Sequence, residues 1–210
     1  MIIMNRSKIK KIIENAWKMF CKYYDCKSFE YSESLDSKEE AENSHWICWN
    51  ESDLMVQFGR FFYKELDKIN SNIEMHFDKN LNYSNFRGYK FDNKLAELKK
   101  NLGRVPKVDL IITPEDSVDP FLICAEAKYF HCSVESISRK TQTAEGVIKK
   151  DLKTLSKIKD LGIAKNVVFI IFDDYYYFKE PEKCKKIKNL LEQHKKKITI
   201  LHHNSRAKLK

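Results

Sequence analysis

The chain has 210 residues, 42% hydrophobic and 33% charged, enough apolar material for one core. No apolar run reaches the roughly 18 residues of a membrane span. The net charge of +9 is uneven: residues 25–44 hold seven acids against two lysines, or −5, which leaves +14 on the other 190 residues and points to a polyanionic partner, nucleic acid before an anionic membrane.

The opening MIIMNRSKIKK sets its apolar residues ahead of its charges, the reverse of a secretory signal. The first predicted element is an amphipathic helix over 8–24, in which Ile9, Ile12, Ile13, Ala16, Trp17, Phe20 and Tyr24 recur at helical spacing behind Ser7 as N-cap. Its apolar stripe suits packing on the core; a homodimer contact is the alternative. Residues 25–44 read as an acidic, serine-rich loop with a short helical piece near 38–42. Asn50 then caps a helix over 51–69, with Leu54, Met55, Phe58, Phe61, Phe62, Leu66 and Ile69 inward. Glu51 falls three, four and seven residues before Leu54, Met55 and Phe58, so it sits on the buried face, where a carboxylate is out of place. A strand over 71–78, a polar loop and a helix over 91–102 ending at Gly103 follow.

Two strands are expected next, KVDLIIT over 107–113 and FLICAEAKY over 121–129, joined by PEDSVDP, whose prolines and acids break ladders and make turns. Each strand is apolar enough for burial yet carries ionisable residues: Asp109, Glu126 and Lys128. Alternation puts Glu126 and Lys128 on one face. A turn centred near Ser117 and Val118 sets Asp109 opposite Glu126. Two adjacent carboxylates repel, and burial raises the cost. A divalent cation relieves it, and hard oxygen ligands suit Mg²⁺.

Residues 133–143 are polar and include Arg139 and Lys140; a helix over 144–161 is expected to face Val147, Ile148, Leu152, Leu155 and Ile158 inward, with Lys149, Lys150, Lys153, Lys157 and Lys159 on the rest. NVVFIIF over 166–172 has the continuous apolar run of a strand covered on both faces. Asp173 and Asp174 end it, as a loop start or as metal ligands. A last helix to about residue 197 and a strand over 198–201 precede a basic tail. The six cysteines form no C-x-x-C and no paired Cys/His spacing, which argues against zinc and fits a reducing, cytoplasmic compartment.

Asp109 with Glu126-Ala127-Lys128 across a hairpin resembles the PD-(D/E)xK nuclease superfamily, over roughly residues 51–172. The proline of that motif falls at Pro106, not directly before Asp109. The resemblance implies an α/β fold, a three-layer α/β/α sandwich with a central mixed sheet and a restriction-endonuclease-like core. On that reading residues 51–210 form the nuclease-like domain and residues 1–50 are an appendage. It implies a metal-dependent endonuclease that hydrolyses DNA phosphodiesters to a 5′-phosphate and a 3′-hydroxyl. Asp109 and Glu126, helped by the carbonyl of Ala127, are then expected to hold Mg²⁺, or Mn²⁺ in its place. Glu51 is implied as the fourth member, and Lys128 as the residue that orients water. Arg104, Lys107, Arg139, Lys140, Lys150 and Lys153 are expected to meet phosphates of DNA. The alternative is a nucleic-acid-binding module without activity, or a subunit of a larger nuclease; all four motif positions are filled, which favours the enzyme. The Q-x-x-x-Y of one branch is not matched, since Gln142 is followed by Gly146.

Overall fold

The computed structural model of the protein describes residues 6–33, 48, 50–68, 73–81, 92–114, 121–130, 137–174 and 181–205. Among them the elements run α1 (Arg6–Glu33), α2 (Glu51–Asp67), β1 (Ile73–Asn80), α3 (Asp92–Leu102), β2 (Lys107–Pro114), β3 (Phe121–Phe130), α4 (Ile137–Asp160), β4 (Ala164–Asp173), α5 (Pro181–His194) and β5 (Thr199–Asn204). No helix among the described residues is long and apolar enough to cross a membrane.

The five strands form one sheet in sequence order. β1, β2 and β3 are antiparallel neighbours, whereas β3, β4 and β5 run parallel. The change of direction follows from the connections: parallel neighbours need a long crossover, and α4 and α5 supply the two. The protein is therefore α/β with a mixed open sheet.

Alternation along the strands divides the core in two. Leu110, Ile112, Ala125, Ala127, Ile170 and Phe172 pack with the apolar faces of α1 and α2. Val108, Ile111, Cys124, Phe169 and Ile171 pack with α3, α4 and α5. Helices thus lie against both faces, an arrangement compatible with three layers. On the first side Trp17, Phe20 and Tyr24 of α1 gather around Phe172, with ring centroids at 6.0, 5.5 and 4.6 Å. Truncating Phe172, which is fully buried, would cost about 3–5 kcal/mol. The apolar face of α1 is thereby used within the protein's own core and is not left for a homodimer contact. Gly59 lets α2 lie close on β1, since a Cβ there would stand 2.9 Å from the Phe77 ring.

Two boundaries and one inward position differ most from the sequence expectation. The acidic segment begins later than expected: α1 continues to Glu33, because residues 25–33 contain no glycine or proline. An i,i+3 pair of Lys27 and Glu30 (2.5 Å) and the contact of Asp25 with His203 of β5 (2.8 Å) support that extension. Residues 34–44 lie outside the described residues. α4 begins at Ile137 and not at Ala144, which places Arg139 and Lys140 in its first turns; their side chains lie outside the described residues. Val147, expected inward, is exposed, while Ile148, Leu152, Leu155 and Ile158 are fully buried. The ends of α3 and α4 are as expected, with Gly103 and Gly162 both at positive φ (76° and 63°), the left-handed turn that stops a helix.

Candidate active site

The site begins where β2 and β3 stop pairing. Their register sets Leu110 against Ala125, Ile111 against Cys124 and Ile112 against Ile123. One step further, the same register places Asp109 opposite Glu126, as the sequence spacing predicts. The ladder does not reach that pair. Instead the Asp109 carboxylate takes over the role of a backbone acceptor: its Oδ2 receives the Ala127 N–H at 2.7 Å. A side chain held this way has its rotamer fixed by the sheet. On β1 the residue across from Asp109 is Asp78. It has φ of 55°, left-handed backbone that aspartate tolerates better than most, and pairs with Lys107 at 2.6 Å.

Glu126 is 7% exposed. Burial first, and then the Asp109 and Asp151 carboxylates, push its carboxyl up to about 10. At neutral pH it holds a proton in the absence of a cation. A buried acid kept neutral by carboxylate neighbours is the electrostatic signature of a place where positive charge is lacking.

Lys128, two residues on along the same face, is well enclosed. Its ammonium donates to the Ala127 carbonyl at 2.7 Å and to Glu51 Oε2 at 3.5 Å, with Glu51 Oε1 at 3.4 Å. Asp151 Oδ2 lies at 3.1 Å. Apart from that ammonium, Oδ2 of Asp151 is a buried oxygen with no hydrogen-bond partner. Burial would lower the pKa of Lys128, but Asp151, Glu51 and Asp109 outweigh it and raise it. Burial likewise raises the carboxyls of Glu51 and Asp151, with Lys128 opposing the rise in both.

Glu51 opens α2 behind its N-cap Asn50, whose side chain accepts the Asp53 N–H at 3.0 Å. Its side chain is 41% exposed, so it stands at the rim and not on the buried face. It borders a cavity of about 260 Å³ with Asn50, Ser52 and Tyr129. Tyr129 is pinned from behind: its hydroxyl lies 2.8 Å from the Cys48 carbonyl and 3.0 Å from Asp174 Oδ2, with one proton to share between them. Asp174 also accepts from Tyr24 at 2.7 Å and from Ser205. Asp173 accepts from Asn204 at 3.2 Å. Both acids at the end of β4 are thus committed to hydrogen bonds that brace the site.

A second cavity, of about 200 Å³, opens beside Glu126 and Asp151. Arg104, Lys107, Lys150, Lys153, Glu126 and Asp151 line it, over the buried Thr154. Four of the six residues expected to meet phosphate therefore converge on the cavity that Glu126 borders. No protein-family model, no curated protein and no solved structure matches the chain.

Asp151 is the site residue that sequence reasoning missed. It lies three residues after Ile148 and four before Leu155, on the buried face of α4. An acid on an apolar helix face is the signal that singled out Glu51, and it could have found Asp151. For a cation, the oxygens on offer are the carboxylates of Asp109 and Glu126 and the Ala127 carbonyl. Among the described residues no three Asp, Glu, His or Cys side chains stand close enough to hold a metal between them. A cation here would rest on two carboxylates, a backbone oxygen and water, which suits Mg²⁺. The neutralised Glu126, with the Asp109 and Asp151 carboxylates beside it, marks the surplus of acid that such a cation would balance.

Proposed function

We propose that the protein is a metal-dependent deoxyribonuclease that hydrolyses phosphodiester bonds, built on a restriction-endonuclease-like core. The observation that carries this reading is the opposition of Asp109 and Glu126 at the parting ends of β2 and β3, with the Lys128 ammonium two residues beyond. Asp109, Glu126 and the Ala127 carbonyl would hold Mg²⁺ or Mn²⁺, with Glu51 bound directly or through water. When bound, the ion supplies a water of lowered pKa and polarises a phosphoryl oxygen. The Asp109 carboxylate is held at a fixed angle by the Ala127 N–H, so it needs little reorganisation to serve as ligand. Lys128 orients the attacking water and offsets the negative charge that develops on the phosphoryl oxygens.

DNA is the substrate that the basic cavity favours. Arg104, Lys107, Lys150 and Lys153 put four cations against two acids around a space that Glu126 borders. At about 200 Å³ it is below the roughly 300–1,000 Å³ of pockets that enclose a whole small molecule. It suits a backbone phosphate and leaves the bases outside, so this contact positions the strand without reading its sequence.

The test is incubation of the purified protein with supercoiled plasmid, single-stranded DNA and RNA, each with Mg²⁺, Mn²⁺ or EDTA. Cleavage of DNA that requires the metal and leaves 5′-phosphate ends is expected. Binding of DNA without cleavage under every metal condition would instead support a module that binds nucleic acid without cutting it.

A further inference from the structure

Oxygens of three residues surround the Lys128 ammonium, and they are not equivalent. The Ala127 carbonyl at 2.7 Å is its shortest contact. The same carbonyl is an expected ligand of the ion in the proposed function. One oxygen serves an ammonium and a magnesium ion together poorly: the ion draws its oxygens to about 2.0–2.1 Å, and the two cations would repel. A cation there would therefore loosen the hold of Ala127 on the ammonium, and the displaced charge would need another seat.

We propose that Asp151 is that seat, a positioning residue that holds the Lys128 ammonium at the site while a cation occupies the Ala127 carbonyl. This role rests on the metal-dependent function proposed for the site. Glu51 is the poorer candidate. Its side chain is 41% exposed and its contacts are 3.4 and 3.5 Å, so water screens the attraction. It is also itself drawn towards the cation. Asp151 is 14% exposed and lies at 3.1 Å, where the attraction is less screened. Its Oδ2 has no hydrogen-bond partner other than that ammonium. A turn of the lysine towards it strengthens the one polar contact this buried oxygen has.

The supports of the two groups differ in the same sense. Asp151 stands on α4 between the fully buried Ile148, Leu152 and Leu155, so its carboxylate is fixed. Lys128 has a flexible four-carbon stem and three donors, and can move from one acceptor to the other without any backbone change. Asp151 thus acts on cation binding through Lys128 and not as a ligand.

A double-mutant cycle tests this by calorimetric titration with Mn²⁺ and with Ca²⁺. The four proteins are the wild type, Asp151→Asn, Lys128→Met and the double variant, each checked for folding by circular dichroism. Asp151→Asn is expected to weaken ion affinity about 10-fold to 100-fold, the usual effect of removing a residue that supports a metal site from outside its ligand shell. In the Lys128→Met background the same change should alter affinity by no more than about twofold, the margin within which independent effects add. Equal losses in both backgrounds would make Asp151 a ligand or a bulk charge and overturn the proposal. So would a wild-type affinity in Asp151→Asn. A wild type that binds neither ion overturns the metal-dependent function as well, whereas a wild type that binds with no effect of Asp151 overturns the role of Asp151 alone. Should Asp151→Asn not fold, Asp151→Ser carries the same cycle.

Discussion

Asp109 and Glu126 face one another one step beyond the last paired residues of β2 and β3, and the Asp109 carboxylate, not a backbone carbonyl, receives the next N–H of β3. The consequence is a pair of acids, half-buried Asp109 and buried Glu126, with Lys128 beside them and a proton on Glu126.

That proton makes stability depend on pH. In the unfolded chain Glu126 loses it near 4.5, in the fold only near about 10. Between these values the folded state binds the extra proton, so stability falls as pH rises, by at most about 1.4 kcal/mol per pH unit. The raised carboxyls of Glu51 and Asp151 act in the same direction. In EDTA the wild type should melt lower at about pH 8 than at about pH 6, and Glu126→Gln should flatten the slope and be the more stable protein at the higher pH. A wild-type melting temperature that climbs over this interval would contradict the assignment.

The basic cavity makes a separate prediction, for the salt dependence of binding. Arg104, Lys150 and Lys153 come from the end of α3 and from α4 and face one space. Each phosphate that a cation neutralises adds about 0.9 to the slope of log affinity against log salt for duplex DNA, or about 0.7 for a single strand. Replacing any one of the three by glutamine should lower the slope by about that amount and weaken all sequences alike. The measurement is a fluorescence-anisotropy titration at several salt concentrations, in Ca²⁺ to hold back cleavage. Slopes equal to that of the wild type would remove these residues from the interface.

The brace behind the site should contribute to stability without contributing to chemistry. Tyr24 donates to Asp174 at 2.7 Å, both residues are 1% exposed, and Asp174 reaches the site through Tyr129. Hydrogen bonds to a charged group contribute about 1.5–3 kcal/mol. Tyr24→Phe is expected to lose about that much in a urea melt, since the Asp174 carboxylate stays buried with one donor fewer. Its metal affinity should match the wild type, because Tyr129 and Ser205 still hold Asp174. A variant as stable as the wild type would show that water replaces the hydroxyl there.

Much of the α/β fold was legible because its signals are local. The constant index relation of a hairpin predicts the register around Asp109 and Glu126, and alternation puts Lys128 beside Glu126. The apolar run over residues 166–172 announces a strand covered on both sides, and α4 and α5 cover one of them. What escaped depends on tertiary contact. The extension of α1 to Glu33 has no apolar rhythm to announce it, and its anchor, His203, is a residue of β5 far along the chain. Asp151 was hidden among the lysines of α4 although the periodicity of Ile148, Leu155 and Ile158 places it on their face. Glu51 was assigned to a buried face, yet its side chain is 41% exposed and reaches Lys128 from the rim.

Whether this site cuts DNA is decided by plasmid cleavage with the wild type and Lys128→Ala, side by side in Mg²⁺ and in EDTA. Metal-dependent cleavage by the wild type is expected, with a loss of at least about 100-fold in the variant, the scale on which removing one group that stabilises a transition state is felt. The variant should still bind DNA, because Arg104, Lys150 and Lys153 are untouched. Cleavage that persists undiminished in Lys128→Ala, or that proceeds equally in EDTA, would contradict a metal-dependent centre built on Asp109, Glu126 and Lys128.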